Sequence, residues 1–301
     1  KFKLKDNSTL PLIIKGSTKL KSINFLEKKG SAQCKSAVIF GALKSNGETT
    51  IKAKKSRNHT ELLCKYLNIP IKVYSKNNYD YIKIKKISKI DKLNYNIPAD
   101  ISSSAFFMVL TALSENSKLT LKNVNINPTR TGIISILKKM GVNIKIKNKK
   151  VYKGEINADI KVESTKKLRS INCPVKYNSG AIDEFLIIFL VAAKANGTSY
   201  FKDLSELNKK ESPRLKWGSK ILNLMGVKNI LTESSIKIFG NPNLKLDKKI
   251  VIKNYLKDHR IFMTCVIAAL TFGGKWEIHD KNSTMTSFPG FLKIIKQLKN
   301  S

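Results

Sequence analysis

Long hydrophobic runs are missing from this chain of 301 residues. Its most apolar stretches, Phe185 to Ala193 and Ile261 to Phe272, fall short of the roughly 18 residues a membrane-spanning helix needs, so no transmembrane segment and no membrane partner are expected. Cysteine is scarce. Cys34, Cys64, Cys173 and Cys265 show no Cys-x-x-Cys spacing, which argues against a zinc site or a disulfide framework and fits a reducing cytoplasm. The chain opens at Lys1 with neither an initiator Met nor an apolar leader. No signal peptide is read there, and the start is expected to lie inside a longer protein. Acidic side chains are few, 21 against 57 lysines and arginines, for a net charge of +36. Arginine is scarcer still: only Arg57, Arg130, Arg169, Arg214 and Arg260 occur, and the other 52 basic residues are lysine.

What is present is enough to fold. The chain is 42% hydrophobic and 26% charged, too apolar for a disordered polyelectrolyte, and its length corresponds to about two domains. The charge invites a nucleic-acid reading, but the lysines are spread over almost every segment, as expected of a solvated surface under compositional drift rather than a phosphate-tracking patch. No nucleic-acid partner is expected. In such a background a surviving arginine marks a place where a planar, bidentate fork is needed, so each of the five is a candidate.

One pattern recurs: an apolar helix, a short turn, a β-branched strand, a polar loop and a second helix. The copies begin at Ser31 to Leu43, Ser102 to Leu113, Ala181 to Ala193 and Asp258 to Leu270, and their turns fall at Gly47, Ser117, Gly197 and Gly274. Alternating segments such as VNIKIKN and SSIKIFG supply a sheet for the helices to cover, which predicts an α/β fold of repeated βαβαββ units. The composition shift at NIPAD, Asn96 to Asp100, marks a domain boundary, giving domains 1–98 and 99–301 with three units in the second.

Several helix starts carry chemistry-bearing residues. In NKKESPRL, Ser212 reads as an N-cap with Pro213 at the first helical position, and Lys210, Glu211 and Arg214 gather there as an anion site or an ordinary capped helix. Asp183 and Glu184 precede an apolar helix, as dipole partners or, for Asp183, as a contact to a ligand hydroxyl. In KDHRIFM, His259 is a possible cap beside Arg260. In GSAQCKS, Ser31, Gln33, Lys35 and Ser36 offer polar groups to a phosphate or a polyol, although capping alone explains Ser31. Arg57 in KKSRNHTE follows the same logic, and Arg130 in NPTRTG stabilises a turn or reaches a cleft.

Taken in order, GSAQCKSA, SRNHTE, PADISSSAFF, NPTRTG, IDE, KKESPRL, DHRIFM and TSFPGF resemble the 5-enolpyruvylshikimate-3-phosphate synthase family along essentially the whole chain. The resemblance implies an enolpyruvyl transferase fold, an inside-out α/β barrel in two domains with the first incomplete here. It also implies transfer of enolpyruvyl from phosphoenolpyruvate to shikimate 3-phosphate, with no metal and no cofactor, by a monomer. Ser31, Ala32 and Gln33 match contacts to shikimate 3-phosphate, and Arg57 a position near its phosphate. Asp183 matches the acceptor of the 5-hydroxyl proton, Glu211 a proton donor or acceptor at the phosphoenolpyruvate methylene, and Lys210 a cation at the shared site. Arg214 and Arg260, with Gln33, match the phosphoenolpyruvate contacts. The two sets are expected to face one another across a cleft.

The departures are specific. No segment matches the family's Gly-Asp-Lys-Ser stretch or the Gly and Arg of its other phosphoenolpyruvate motif, and Pro213 and Asn208 replace an acidic and a basic residue. A fragment lacking about the first third of the family's length is the expectation, and alone it should be nearly inert. Two alternatives stand beside this reading: the sister transferase acting on UDP-N-acetylglucosamine, and a basic nucleic-acid-binding protein on the same scaffold.

Overall fold

Two compact units divide the chain, Lys1–Tyr95 and Asn96–Ser301. The computed structural model describes residues 2–4 and 12–299. The first unit opens with an antiparallel pair, β1 (Phe2–Leu4) and β2 (Leu12–Ile14). There follow β3 (Asn24–Glu27), α1 (Ala32–Ala42), β4 (Glu48–Lys54), α2 (His59–Tyr66), β5 (Ile71–Lys76) and β6 (Tyr79–Lys85), one βαβαββ unit. Their sheet runs β3-β4-β6-β5, with β3 parallel to β4 and the other pairs antiparallel. Alternation decides its faces: Thr49, Ile51 and Ala53 of β4 and Asp80, Ile82 and Ile84 of β6 are buried, while Glu48, Lys52, Lys54, Lys83 and Lys85 are exposed. Helix α1 covers the buried face, closing a small core around Ile39, Ile51, Ile82 and Ile84.

The second unit repeats the plan twice and, among the described residues, carries its opening βαβα part a third time. The isolated bridge Ala99–Val124 opens a copy made of α3 (Ile101–Leu113), β7 (Lys118–Asn125), α4 (Gly132–Lys139), β8 (Asn143–Tyr152) and β9 (Glu155–Glu163). Bridges Arg169–Asn196 and Asn172–Tyr200 open the next, with α5 (Asn178–Ala181), α6 (Phe185–Lys194), β10 (Gly197–Phe201), α7 (Arg214–Leu224), β11 (Asn229–Leu231) and β12 (Ile236–Gly240). The last has β13 (Leu246–Ile252) parallel to β14 (Gly273–Ile278), joined by α8 (His259–Phe272) and followed by α9 (Phe291–Lys299). Helices α3, α6 and α8 pack on one another. Every residue from Phe185 to Ala193 is buried, as a helix apolar on all sides requires, and the sheets lie outside with exposed faces. The third copy's helix starts at Phe185, later than its sequence frame suggests, because α5 ends at Ala181 and the chain turns through Ile182 to Glu184 first.

The repeat survives in its turns. Gly47 and Gly197 adopt φ of 96° and 94°, and a Cβ at either would fall 2.8 or 2.7 Å from the hydroxyl of Ser22 or Ser170. Both the left-handed backbone and the close serine require glycine. Gly197→Ala is expected to destabilise by about 1–3 kcal/mol in urea unfolding, and an unchanged midpoint would show that the turn relaxes freely.

Candidate active site

Three helices of the second unit begin at one place, and their opening residues interlock. Asp258 caps α8: its Oδ1 accepts from the backbone N–H of Arg260 at 2.9 Å. The chain enters that cap through Asn254, Leu256 and Lys257 with φ of 59°, 56° and 53°, a conformation costly for leucine and lysine and of the kind that clusters at functional sites. Asp258 also receives the Ser212 hydroxyl at 2.7 Å and Arg214 Nε at 2.8 Å. Burial works to raise the Asp258 carboxyl, but Arg214 and Ser212 outweigh it and hold the group below the usual carboxylate range.

Arg214, the first residue of α7, is 1% exposed and spends its guanidinium on three carboxylates. Besides Asp258, its Nη1 donates to Asp183 Oδ1 at 3.2 Å and its Nη2 to Glu211 Oε2 at 2.6 Å. Lys210 Nζ lies 3.5 Å from the same Asp183 oxygen and 3.2 Å from Glu206. Arg260 reaches the same dipeptide from α8: its Nη1 donates to the Asp183 carbonyl at 3.0 Å and stands 3.6 Å from Glu184 Oε1. Asp183 therefore spaces two guanidiniums and an ammonium. Glu211 keeps an exposed side chain, so it is the carboxylate of this set most open to an incoming ligand.

Some sequence expectations change here. Ser212 does not cap α7. Pro213 takes the cap position with no side-chain bond, because the buried Asp258 carboxylate is the stronger acceptor for the Ser212 hydroxyl. His259 is not a cap either, since Asp258 precedes it in that role; burial and the Arg260 charge push its imidazole below the usual range. Arg130 does more than hold its turn: Nη2 donates to Ser102 Oγ at 2.6 Å and pairs with Asp100 Oδ1 at 2.9 Å, both at the start of α3. Asp100 itself caps α3 through the Ser103 N–H.

In the first unit, Ser31 caps α1, accepting from the Cys34 N–H at 3.2 Å. Ala32 and Gln33 follow in the first turn, with Gln33 exposed. Arg57, half-buried, directly precedes Asn58 at the start of α2. Lys35 is not available to a phosphate. It is fully buried and paired with Glu61 at 2.6 Å, with Asp80 at 4.0 Å, and this pair together with the Ser36–Thr60 contact at 2.7 Å ties the start of α1 to that of α2. Burial, with Glu61 adding to it for Cys64, pushes the Cys64 and Cys173 thiols up to about 11, so neither is a thiolate nucleophile at neutral pH.

Residues 2–295 match the family of EPSP synthase (3-phosphoshikimate 1-carboxyvinyltransferase). This chain belongs to the EPSP synthase family. Among curated members, the 3-phosphoshikimate 1-carboxyvinyltransferase of Ruthia magnifica subsp. Calyptogena magnifica is 39% identical over 294 residues, 97% of this chain and 66% of its own. That of Caldicellulosiruptor bescii is also 39% identical, over 293 residues with the same coverages. The structure of EPSP synthase from Acinetobacter baumannii superposes with a TM-score of 0.86 at 33% identity, covering 99% of this chain and 67% of that one. The enolpyruvyl transferase NikO from Streptomyces tendae, at 13% identity and a TM-score of 0.71, shares the fold. The α/β enolpyruvyl transferase fold is therefore that of this EPSP synthase family member, and the chain spans 66% of the curated relatives' length.

The partners of Glu184, Ser102 and Asp258 are set by packing: Arg260, Arg130 and Arg214 respectively. Asp258 and Glu184 were visible as acidic residues before apolar helices, but nothing local says which cation each one meets.

Proposed function

We propose that the protein carrying this chain transfers the enolpyruvyl group of phosphoenolpyruvate to the 5-hydroxyl of shikimate 3-phosphate, releasing phosphate. The observation that carries the reading is the gathering of Asp183, Lys210, Glu211, Arg214 and Arg260 at converging helix starts, in a chain whose family match runs from residue 2 to 295. Arg260 supplies a planar fork suited to a carboxylate or a phosphate, with Lys210 a point charge beside it, and Arg214, whose guanidinium is bonded to Asp183, Asp258 and Glu211, offers its Nη2 once the exposed Glu211 gives way to the ligand. Protonation of the substrate's methylene carbon, with Glu211 as donor, makes C2 electrophilic; the 5-hydroxyl oxygen adds there and its proton passes to Asp183. The methyl carbon then returns its proton to Glu211 as phosphate leaves C2, restoring the double bond, and the departing phosphate takes up the proton held by Asp183. Ser31, Ala32, Gln33 and Arg57 are the proposed contacts of shikimate 3-phosphate in the first unit, with Gln33 also serving phosphoenolpyruvate.

GSAQ and SRNHTE support shikimate 3-phosphate over UDP-N-acetylglucosamine as acceptor. The direct test is to incubate the protein with both substrates and measure phosphate together with the enol ether product. Product from UDP-N-acetylglucosamine instead would reverse the choice of acceptor. Arg260→Lys keeps the charge and loses the fork, so phosphoenolpyruvate use should weaken by about 10- to 150-fold, as loss of a charge-assisted hydrogen bond implies. Arg169, exposed and outside every motif, is the control: Arg169→Lys should leave kinetics unchanged. Equal damage from both substitutions would show that surviving arginines do not mark ligand contacts.

A further inference from the structure

Glu184 is a buried carboxylate beside this site that neither the proposed chemistry nor a helix cap uses. It occupies the cap position of α6 yet makes no side-chain capping bond, so the helix start does not account for it. It is 3% exposed, and its Oε1 has no hydrogen-bond partner among the described residues; the cation beside that oxygen is Arg260, with Nη1 at 3.6 Å. Behind it stands the start of α3, where Ser102, held by Arg130 at 2.6 Å, favours the ionised form of Glu184. Burial raises the Glu184 carboxyl above the usual range and Asp183 adds to that, while Arg260, Ser102 and Arg130 oppose it. A buried charge that neither caps a helix nor completes its hydrogen bonds calls for an explanation.

We propose that Glu184 is a positioning residue: backed by Ser102 and Arg130, its carboxylate fixes where the Arg260 guanidinium stands and so sets the grip on the anionic substrate that Arg260 takes. This rests on the reading that Arg260 binds phosphoenolpyruvate. Arg260 is then held at two points, the Asp183 carbonyl and Glu184, with its remaining N–H groups directed to the ligand. The Asp100–Arg130–Ser102 contacts at the start of α3 and the Glu184–Arg260 pair between the starts of α6 and α8 act on one carboxylate, Glu184 feeling the charge of both Arg130 and Arg260.

The test is Glu184→Gln, which keeps shape and removes charge. The Michaelis constant for phosphoenolpyruvate should rise about 10-fold, with that for shikimate 3-phosphate within 2-fold and kcat changed less. Arg130→Gln should act in the same direction, and the double variant should be no worse than the stronger single one, because both act on Arg260 through the charge of the same carboxylate. Glu184→Asp, which keeps the charge one methylene further back, should recover part of the loss and carries the same test if Glu184→Gln does not fold. A readout independent of activity is the guanidinium 15N spectrum, assigned through Arg260→Lys: the Arg260 Nη protons should be distinct in the parent protein and averaged by free rotation in Glu184→Gln. A parent protein that binds no phosphoenolpyruvate overturns the functional reading. Normal phosphoenolpyruvate use, with neither its Michaelis constant nor the Arg260 signal altered by Glu184→Gln, overturns this inference alone.

Discussion

Asp183→Asn is expected to lower turnover by roughly 10²- to 10⁴-fold while leaving shikimate 3-phosphate binding broadly intact. Asparagine has the same outline as aspartate, and its amide oxygen can still accept from Arg214 Nη1, which lies 3.2 Å from Asp183 Oδ1. The backbone carbonyl that holds Arg260 at 3.0 Å is untouched by the substitution. Under the proposed reaction, what disappears is the acceptor of the hydroxyl proton, and with it the charge that Lys210 faces at 3.5 Å. Steady-state kinetics paired with calorimetric titration of shikimate 3-phosphate separates the two effects. Retained turnover would remove Asp183 from the proton transfer, and lost binding with unchanged turnover would make it a binding group only.

The second large effect is on stability. Asp258→Ala removes both the cap of α8 and the carboxylate that accepts Arg214 Nε at 2.8 Å, leaving a guanidinium that is 1% exposed with a gap beside it. Breaking a buried pair from one side costs about 3–5 kcal/mol, and a cap alone is worth about 1. Arg214 keeps Asp183 and Glu211, so a loss near 4 kcal/mol is expected, a fall in Tm of roughly 10 °C for a unit of this size. The pH dependence follows from the sign of the shift. The Asp258 carboxyl is held below its ordinary value of 3.8 when folded, so its stabilisation is complete above that value and is lost as pH falls through the depressed folded one. The gap in stability between parent and Asp258→Ala should therefore be full at neutral pH and close in strong acid. A gap that stays constant down to pH 2 would mean the carboxylate contributes nothing through its charge.

Much of this was legible without coordinates. The four-fold recurrence announced the repeated units, and the structure returns the same turns at Gly47 and Gly197 with the same serine beside each. Period-two alternation and the cap Ser31 are local signals, decided by neighbours within four residues, and α1 begins beside that residue. The ordered motifs were enough to pick out the family. That Lys210, Glu211, Arg214, Asp183 and Arg260 stand at helix starts was legible too, since each lies next to an apolar run in the sequence.

Partnership was a different matter. Lys35 reads in the sequence as a hand held out to a phosphate, four residues after the cap of α1; only packing turns it inward to Glu61, 26 residues away on α2. Ser212 has the spacing of a cap and gives its hydroxyl to Asp258, 46 residues on. The bonds from Arg214 to Asp183 and Asp258 and from Arg260 to Asp183 join residues 31, 44 and 77 apart. The sequence by itself determined the repeat and the chemical types gathered near the helix starts, since backbone propensity acts over a single turn. Only the tertiary structure decided which carboxylate meets which cation, because that depends on where the packing of α3, α6 and α8 sets three distant helix starts side by side in a core that excludes water.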